Sequence, residues 1–411
     1  MTDAVARPRG TGRLVLALVL AMLAFAGWRA LSLGVADRLA RPAPAVALAW
    51  RGAHPDALVR ASTHVAPDPA AATGFARRAI RASPLDGRGY RQLAALTADA
   101  ALSQRLLEIA VARSPRDVRG LAALAQAALV DRRFGDAVRH LDQMLRVEGD
   151  ELDRLTPLLH DLAATPQARA PLLEVLAASP PWRAQWLSRL ARDAPQPAAV
   201  APLFDMLRAA PGGLRDVELD VWLERLLREG LFAPAYLAWV DALPPERRAR
   251  LANLHNGDFE QPLTDRGFDW RLATVPGARI ARAQTAGMVG THALQVEFAH
   301  RRVPFRHLRQ PLLLGPGRYR LAGRVRLDAL DTPRGLVWTI ECAGRGPPVA
   351  QSEAFAGNAG WRTFAMDFSV PASGCAGQWL SLRLPARIPA EQRIGGSAWF
   401  DELSVKKLPR T

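Results

Sequence analysis

Four arginines alternate late in the chain. Arg318, Arg320, Arg324 and Arg326 are interleaved with Tyr319, Leu321, Val325 and Leu327. On a strand, this spacing puts the guanidinium groups on one face and the apolar side chains on the other. A guanidinium matches a carboxylate or phosphate with two parallel hydrogen bonds, so the row suits uronate or phosphate groups. The plainer reading is a solvated face that deters strand pairing. Arg301, Arg302, Arg306 and Arg309 precede it. Tryptophans can add flat platforms for sugar rings, and Trp270 and Trp379 are the candidates. Trp338 shares a strand face with Ile340 and Cys342 and reads as core. Acid–base chemistry finds less support. A glycosidase needs two carboxylates about 5–10 Å apart, and no motif pairs Glu297, Asp328, Asp331, Glu341, Glu353 or Asp367. His54, His64, His140 and His160 lack metal-ligand spacing. The expectation is a binding protein, not an enzyme.

These residues sit in a chain of 411, enough for two or three domains. An apolar share of 49% excludes a disordered chain. The net charge of +15 calls for an anionic neighbour such as lipid headgroups, nucleic acid or acidic polysaccharide. Two cysteines rule out a zinc ribbon or a disulfide-dense scaffold.

The N-terminus narrows that choice. Residues 1–13 form a basic tail with Arg7, Arg9 and Arg13, and residues 14–36 are predicted to be a signal anchor. Leu14 to Trp28 is uninterrupted apolar sequence, and Arg29 can snorkel outward near the far end. The basic flank comes first, so the N-terminus stays cytoplasmic. The expectation is a single-pass protein of the bacterial inner membrane with its bulk in the periplasm. A signal peptide cleaved after Ala26 is the competing reading. Both export the chain and speak against a nucleic-acid partner. In an oxidising compartment Cys342 and Cys375 are expected to pair. Closing a loop of that length would contribute about 3.8 kcal/mol by chain entropy. Two buried thiols are the alternative.

Residues 38–250 read as helical and carry an internal repeat. At an offset of 31, Ala79, Ser83, Pro84, Asp86, Arg88 and Gly89 recur as Ala110, Ser114, Pro115, Asp117, Arg119 and Gly120, and Ile80 becomes Val111. A fixed period of this kind signals stacked helical units. Ser-Pro ends one helix, and Asp86 or Asp117 is placed to cap the next. The following unit has small residues at Ala125 and Ala137 and an aromatic at Phe134. This resembles a tetratricopeptide repeat, which implies a face for a protein partner. The other reading is a spacer. Trp182, Trp186, Trp222, Tyr236 and Trp239 are assigned to the core.

Texture changes at residue 253. Leu294, Val296 and Phe298 alternate with polar residues, as do Phe364, Met366, Phe368 and Val370. Residues 253–408 therefore read as an antiparallel β-sandwich. The fold class is α then β: a membrane helix, a tetratricopeptide-like solenoid and a jelly roll. NGDFE at 256–260, GFDW at 267–270, PGRYRLAGRVR at 316–326, Trp361 before a strand and AWFDELSV at 398–405 resemble a carbohydrate-binding-module jelly roll. That resemblance implies structural positions for Trp361 and Trp399. It also implies a structural calcium shared by the first and last strands, with Glu260 and Asp401 as ligands and Asp258 as a third. The alternative is that these carboxylates cap strands or meet arginines.

The two resemblances together are similar to accessory proteins of exopolysaccharide or O-antigen production. They imply a non-enzymatic scaffold, with helices holding a protein partner in the inner membrane or periplasm and the jelly roll touching acidic polysaccharide. A purely structural envelope protein is the alternative, and a glycan-active enzyme is a third reading.

Overall fold

The computed structural model describes residues 9–344 and 346–409. Residues 1–8 of the expected basic tail lie outside them. The chain is α then β and divides into two compact units, 1–186 and 187–411.

The first unit begins with α1 (Arg9–Leu39), then α2 (Pro44–Trp50), α3 (Pro55–His64), α4 (Pro69–Ala82) and α5 (Gly87–Ala95). It continues with α6 (Ala100–Arg113), α7 (Val118–Val130), α8 (Phe134–Val147), α9 (Leu152–Ala164) and α10 (Pro166–Ala177). From Leu14 to Leu39, α1 is long and apolar enough to cross a membrane. Proline opens α2, α3 and α4, where its missing N–H costs nothing. Asp86 caps α5 by accepting from the Arg88 N–H at 3.0 Å. Asp117 stands at the matching position but makes no cap bond. The Arg91 guanidinium takes its carboxylate instead, at 2.6 Å. The repeat also explains its glycines. A side chain on Gly89 would begin 3.0 Å from Ile80, and one on Gly120 would begin 3.2 Å from Val111. The two related positions are therefore close crossings of successive helices.

After α11 (Arg183–Asp193), the second unit adds α12 (Pro197–Ala209), α13 (Asp216–Arg228), α14 (Phe232–Ala242) and the short α15 (Pro245–Arg248). The expected core aromatics are buried: Trp182, Trp186, Trp222 and Trp239 are all at most 5% exposed, and Tyr236 is half-buried. Phe204 stacks on Trp222 at 4.2 Å. Buried Arg225 on α13 donates to the carbonyls of Arg192 at 2.5 Å and Ala194 at 2.9 Å, satisfying carbonyls left open where α11 ends.

Ten strands follow: β1 (Arg271–Leu272), β2 (Ala278–Ala283), β3 (Ala293–Arg302), β4 (Leu308–Leu312), β5 (Gly317–Asp331), β6 (Val337–Cys342), β7 (Ala350–Gln351), β8 (Gly357–Val370), β9 (Gln378–Arg383) and β10 (Arg393–Lys407). They form two antiparallel sheets. The first has the order β1-β4-β9-β6-β7, the second β2-β3-β10-β5-β8. The alternation read in the sequence holds. Leu294, Val296, Phe298, Tyr319, Leu321, Val325, Phe364 and Phe368 point into one core with Trp338 and Phe400. This core fixes which side chains face outward.

Helices α13 and α14 pack on the outer side of the first sheet. Phe232 meets Trp379 edge-on at 5.9 Å, and Tyr236 meets Phe268 at 5.0 Å. Gly377 permits the contact, since a Cβ there would lie 2.1 Å from the Phe232 ring.

Candidate functional site

The arginine row of β5 points outward as expected, but its charges are already used. Arg320 faces Asp367 across the β5–β8 register and binds both its oxygens, at 2.5 and 2.9 Å. These bonds, followed by the fields of Arg320 and Arg318, hold the Asp367 carboxyl below its usual range. Arg324 donates to the Gly287 carbonyl at 3.0 Å and lies 5.0 Å over the Trp361 ring. Arg326 donates to Thr285 Oγ1 at 2.6 Å. The upper half of the row thus ties down the 285–292 loop.

The carboxylates expected to hold calcium grip the same loop. Glu260 Oε1 accepts from the Thr291 and His292 N–H groups at 2.8 and 2.9 Å, and Oε2 accepts from Thr291 Oγ1 at 2.5 Å. Asp401 is fully buried and accepts from the Val289 and Glu402 N–H groups, both at 2.8 Å. Burial pushes the Asp401 carboxyl upward in pKa, against those two hydrogen bonds. Exposed Asp258 accepts only from the Glu260 N–H, at 3.4 Å. Calcium needs oxygen lone pairs directed at one point, whereas these oxygens are directed at N–H and O–H donors. As arranged, Glu260 and Asp401 tie down the 285–292 loop through hydrogen bonds. Among the described residues no group of three or more His, Cys, Asp or Glu could hold a metal.

Trp270 is not a platform. It is fully buried, and its Nε1 donates to the Asn256 carbonyl at 3.0 Å. The NGDFE turn therefore anchors the ring inside the core, with no face left for a sugar. Trp379 is half-buried on the outer face of the first sheet. Arg309 lies 4.3 Å over its ring and Phe232 closes its edge. Cys342 and Cys375 are joined in a disulfide, with Cα atoms 5.0 Å apart.

Around Trp379 the outer face of the first sheet forms an open cleft of about 790 Å³. Arg271, Arg306, Arg309 and Arg383 line it, with His307, Ser381, Glu341, Asp265 and Glu224. Arg271 and Arg309 are direct partners across the β1–β4 register. Like charges placed opposite one another weaken a sheet. Burial, and then Arg309, pull the Arg271 guanidinium down to about 10. The charge of Asp220 opposes this, and Glu224 of α13 pairs with Arg271. Arg383 binds Glu341 through both oxygens, at 2.8 Å each. Asp265 Oδ1 accepts from the Leu272 N–H at 2.9 Å. Burial, and then Arg306, push the His307 imidazole below its ordinary value. Arg306 and Arg309 make no ion pair among the described residues. The cleft is thus a cationic surface with one aromatic ring and with α13 as a wall. Unpaired Arg306 and Arg309 give it donors of the kind that match oxyanions.

Trp379, Arg306 and Arg309 stand out in the sequence, but the cleft that joins them does not. The signal was present: in RQPL (309–312) and LSLRL (380–384), Arg309 and Arg383 take the polar side of an alternating pattern. No spacing rule, however, joins them to Arg271.

No protein-family model matches the chain, and no curated protein matches it in sequence. Solved structures do. A structure described as "CBM4 structure and function" is 14% identical with a TM-score of 0.29, over 38% of this chain and 99% of that one. The CBM22-1 xylan-binding domain from Paenibacillus barcinonensis Xyn10C is 14% identical with a TM-score of 0.27, over 38% of this chain and 94% of that one. A family 16 carbohydrate-binding module is 13% identical with a TM-score of 0.28, over 38% of this chain and 99% of that one.

Proposed function

We propose that this chain is a membrane-anchored, non-enzymatic protein of the bacterial envelope whose sandwich binds acidic saccharide units in the Arg271–Arg309–Trp379 cleft. The supporting observation is the placement of Arg271 opposite Arg309 beside a tryptophan. Glu224 already meets Arg271, so Arg309, which faces it and makes no ion pair among the described residues, is the guanidinium left for a ligand oxyanion. Trp379 supplies apolar surface for a sugar ring. The wall made by α13, with Phe232 against Trp379, closes one end of the face, so the fitting ligand is a chain end or a short branch. The acids of the cleft are bound to arginine or to backbone N–H, which favours binding over hydrolysis. In this reading α1 anchors the chain in the inner membrane, and the rest faces the periplasm. The tetratricopeptide-like helices hold a protein partner of polysaccharide production.

The test is titration of the detergent-solubilised full chain with polygalacturonate and, separately, with neutral dextran at low and high salt. Saturable binding to the acidic polymer that weakens with salt is expected. Binding of dextran alone, or of neither polymer, sinks the proposal.

A further inference from the structure

We infer that α2 lies on the outer surface of the bilayer that α1 crosses, with its apolar face at headgroup depth and Trp50 set against Trp28. This rests on the reading of α1 as a membrane anchor.

The span has a definite end. Side chains of α1 are exposed from Leu14 through Leu31, and the first buried ones are Ser32 and Ala36. Beyond that point protein packs against one side of the helix. The Asp37 carboxylate meets buried His54 Nε2 at 2.6 Å, and His54 Nδ1 accepts from the Ala57 N–H at the start of α3. Lipid can therefore surround α1 only up to Leu31. Leu14 to Leu31 covers about 27 Å at the helical rise, close to the ~30 Å thickness of a hydrocarbon core. The anchor enters the helical array as one unbroken helix, with no linker between membrane and fold.

Trp28 stands one turn before this exit, the depth at which tryptophan gathers in membrane proteins. It is 57% exposed, and its ring lies 5.8 Å from that of Trp50, which is 41% exposed. All seven residues of α2 are apolar, yet only Ala47 is buried. Ala45, Val46, Ala49 and Trp50 share one exposed face. Water is a poor neighbour for such a face, and its continuity with the apolar span makes lipid the occupant. Charge agrees. Residues 29–91 carry ten arginines and four aspartates, so the part of the fold nearest the membrane is cationic and suited to anionic headgroups.

The test uses single cysteines in the full chain, whose two native cysteines are bonded to each other. Leu20→Cys, Val46→Cys and Leu85→Cys are each labelled with an environment-sensitive dye. The proteins are reconstituted into phosphatidylethanolamine–phosphatidylglycerol vesicles. Nitroxide lipids should remove most of the emission at residues 20 and 46, and aqueous iodide most of it at residue 85. The Val46 label should respond more to a shallow nitroxide than to a deep one. Ala49→Cys, on the same face, should repeat the Val46 result. Iodide quenching at residues 46 and 49 with lipid quenching at residue 20 overturns the proposal and leaves the anchor standing. Labels at residues 46 and 49 reached by neither quencher mean that a second copy covers the face, which also overturns it. Iodide quenching at residue 20 means that the anchor reading has failed, and the proposal falls with it.

Discussion

The outer faces of the two sheets carry the same residue type under opposite conditions. On the second sheet the register sets Arg279 across from Glu297 and Arg320 across from Asp367. Arg324 and Arg326 spend their donors on a loop. On the first sheet the register sets Arg271 across from Arg309, and helices α13 and α14 add a wall. A strand pattern reports which side of a sheet an arginine takes. Whether that arginine is free for a ligand depends on what the neighbouring strand places opposite. On the first face Glu224 and Glu341 take Arg271 and Arg383 but leave Arg306 and Arg309 without an ion pair among the described residues, whereas the row that looked more like a site in one dimension is bound to Asp367 and a loop in three.

The comparison can be broken most forcefully at the wall. Phe232 is 1% exposed and packs against Trp379 and Gly377. Phe232→Ala should cost about 3–5 kcal/mol of stability in denaturant unfolding and weaken acidic-polymer binding. Unchanged stability and binding would mean that the helices do not shape the first face.

A paired substitution comes next. Arg309→Ala should weaken polygalacturonate binding by about tenfold or more, the range for a hydrogen bond to a charged group. Arg320→Ala should change that affinity by less than about twofold. Its ion pair with Asp367 is exposed and screened by solvent, so stability should barely change. Equal losses in calorimetric titration of the two variants would remove the distinction between the faces.

The smallest effect lies with His307. Its depressed pKa keeps it neutral at neutral pH, so acidification adds a positive charge to the cleft. Affinity for an anionic polymer should rise a few-fold as the pH falls below the ordinary imidazole value, while the uronates stay ionised. His307→Gln should flatten that rise. Stability should move the other way. The unfolded chain takes up the proton first, so the folded state loses stability as the pH falls through that window.

Much of the fold was legible. Alternation located β3, β5, β8 and β9 because one side of each strand is buried, and a period of two records that burial directly. The offset of 31 located related helix crossings because close packing demands the same small residue at each, Gly89 and Gly120. The candidate site was legible only in part. Trp270 and Trp379 look alike in sequence, but the Asn256 carbonyl draws one indole into the core, while the other lies beneath Arg309. Glu260 and Asp401 stand far apart in the chain yet act on one segment. Their common partner is the 285–292 loop, whose N–H groups donate to both carboxylates. Asp117 lost its capping role to Arg91 of the preceding unit, a competition that no local signal records.

By itself the sequence determined the apolar N-terminal segment, the helical region, the sandwich and the side of the sheet each alternating residue takes. These follow from local periodicity and from the burial it reflects. Only the tertiary structure decided which arginines meet carboxylates, which tryptophan keeps a face toward the cleft and where the wall of the cleft stands. Those outcomes depend on strand register and on the packing of α13 and α14, which bring together residues far apart in the chain.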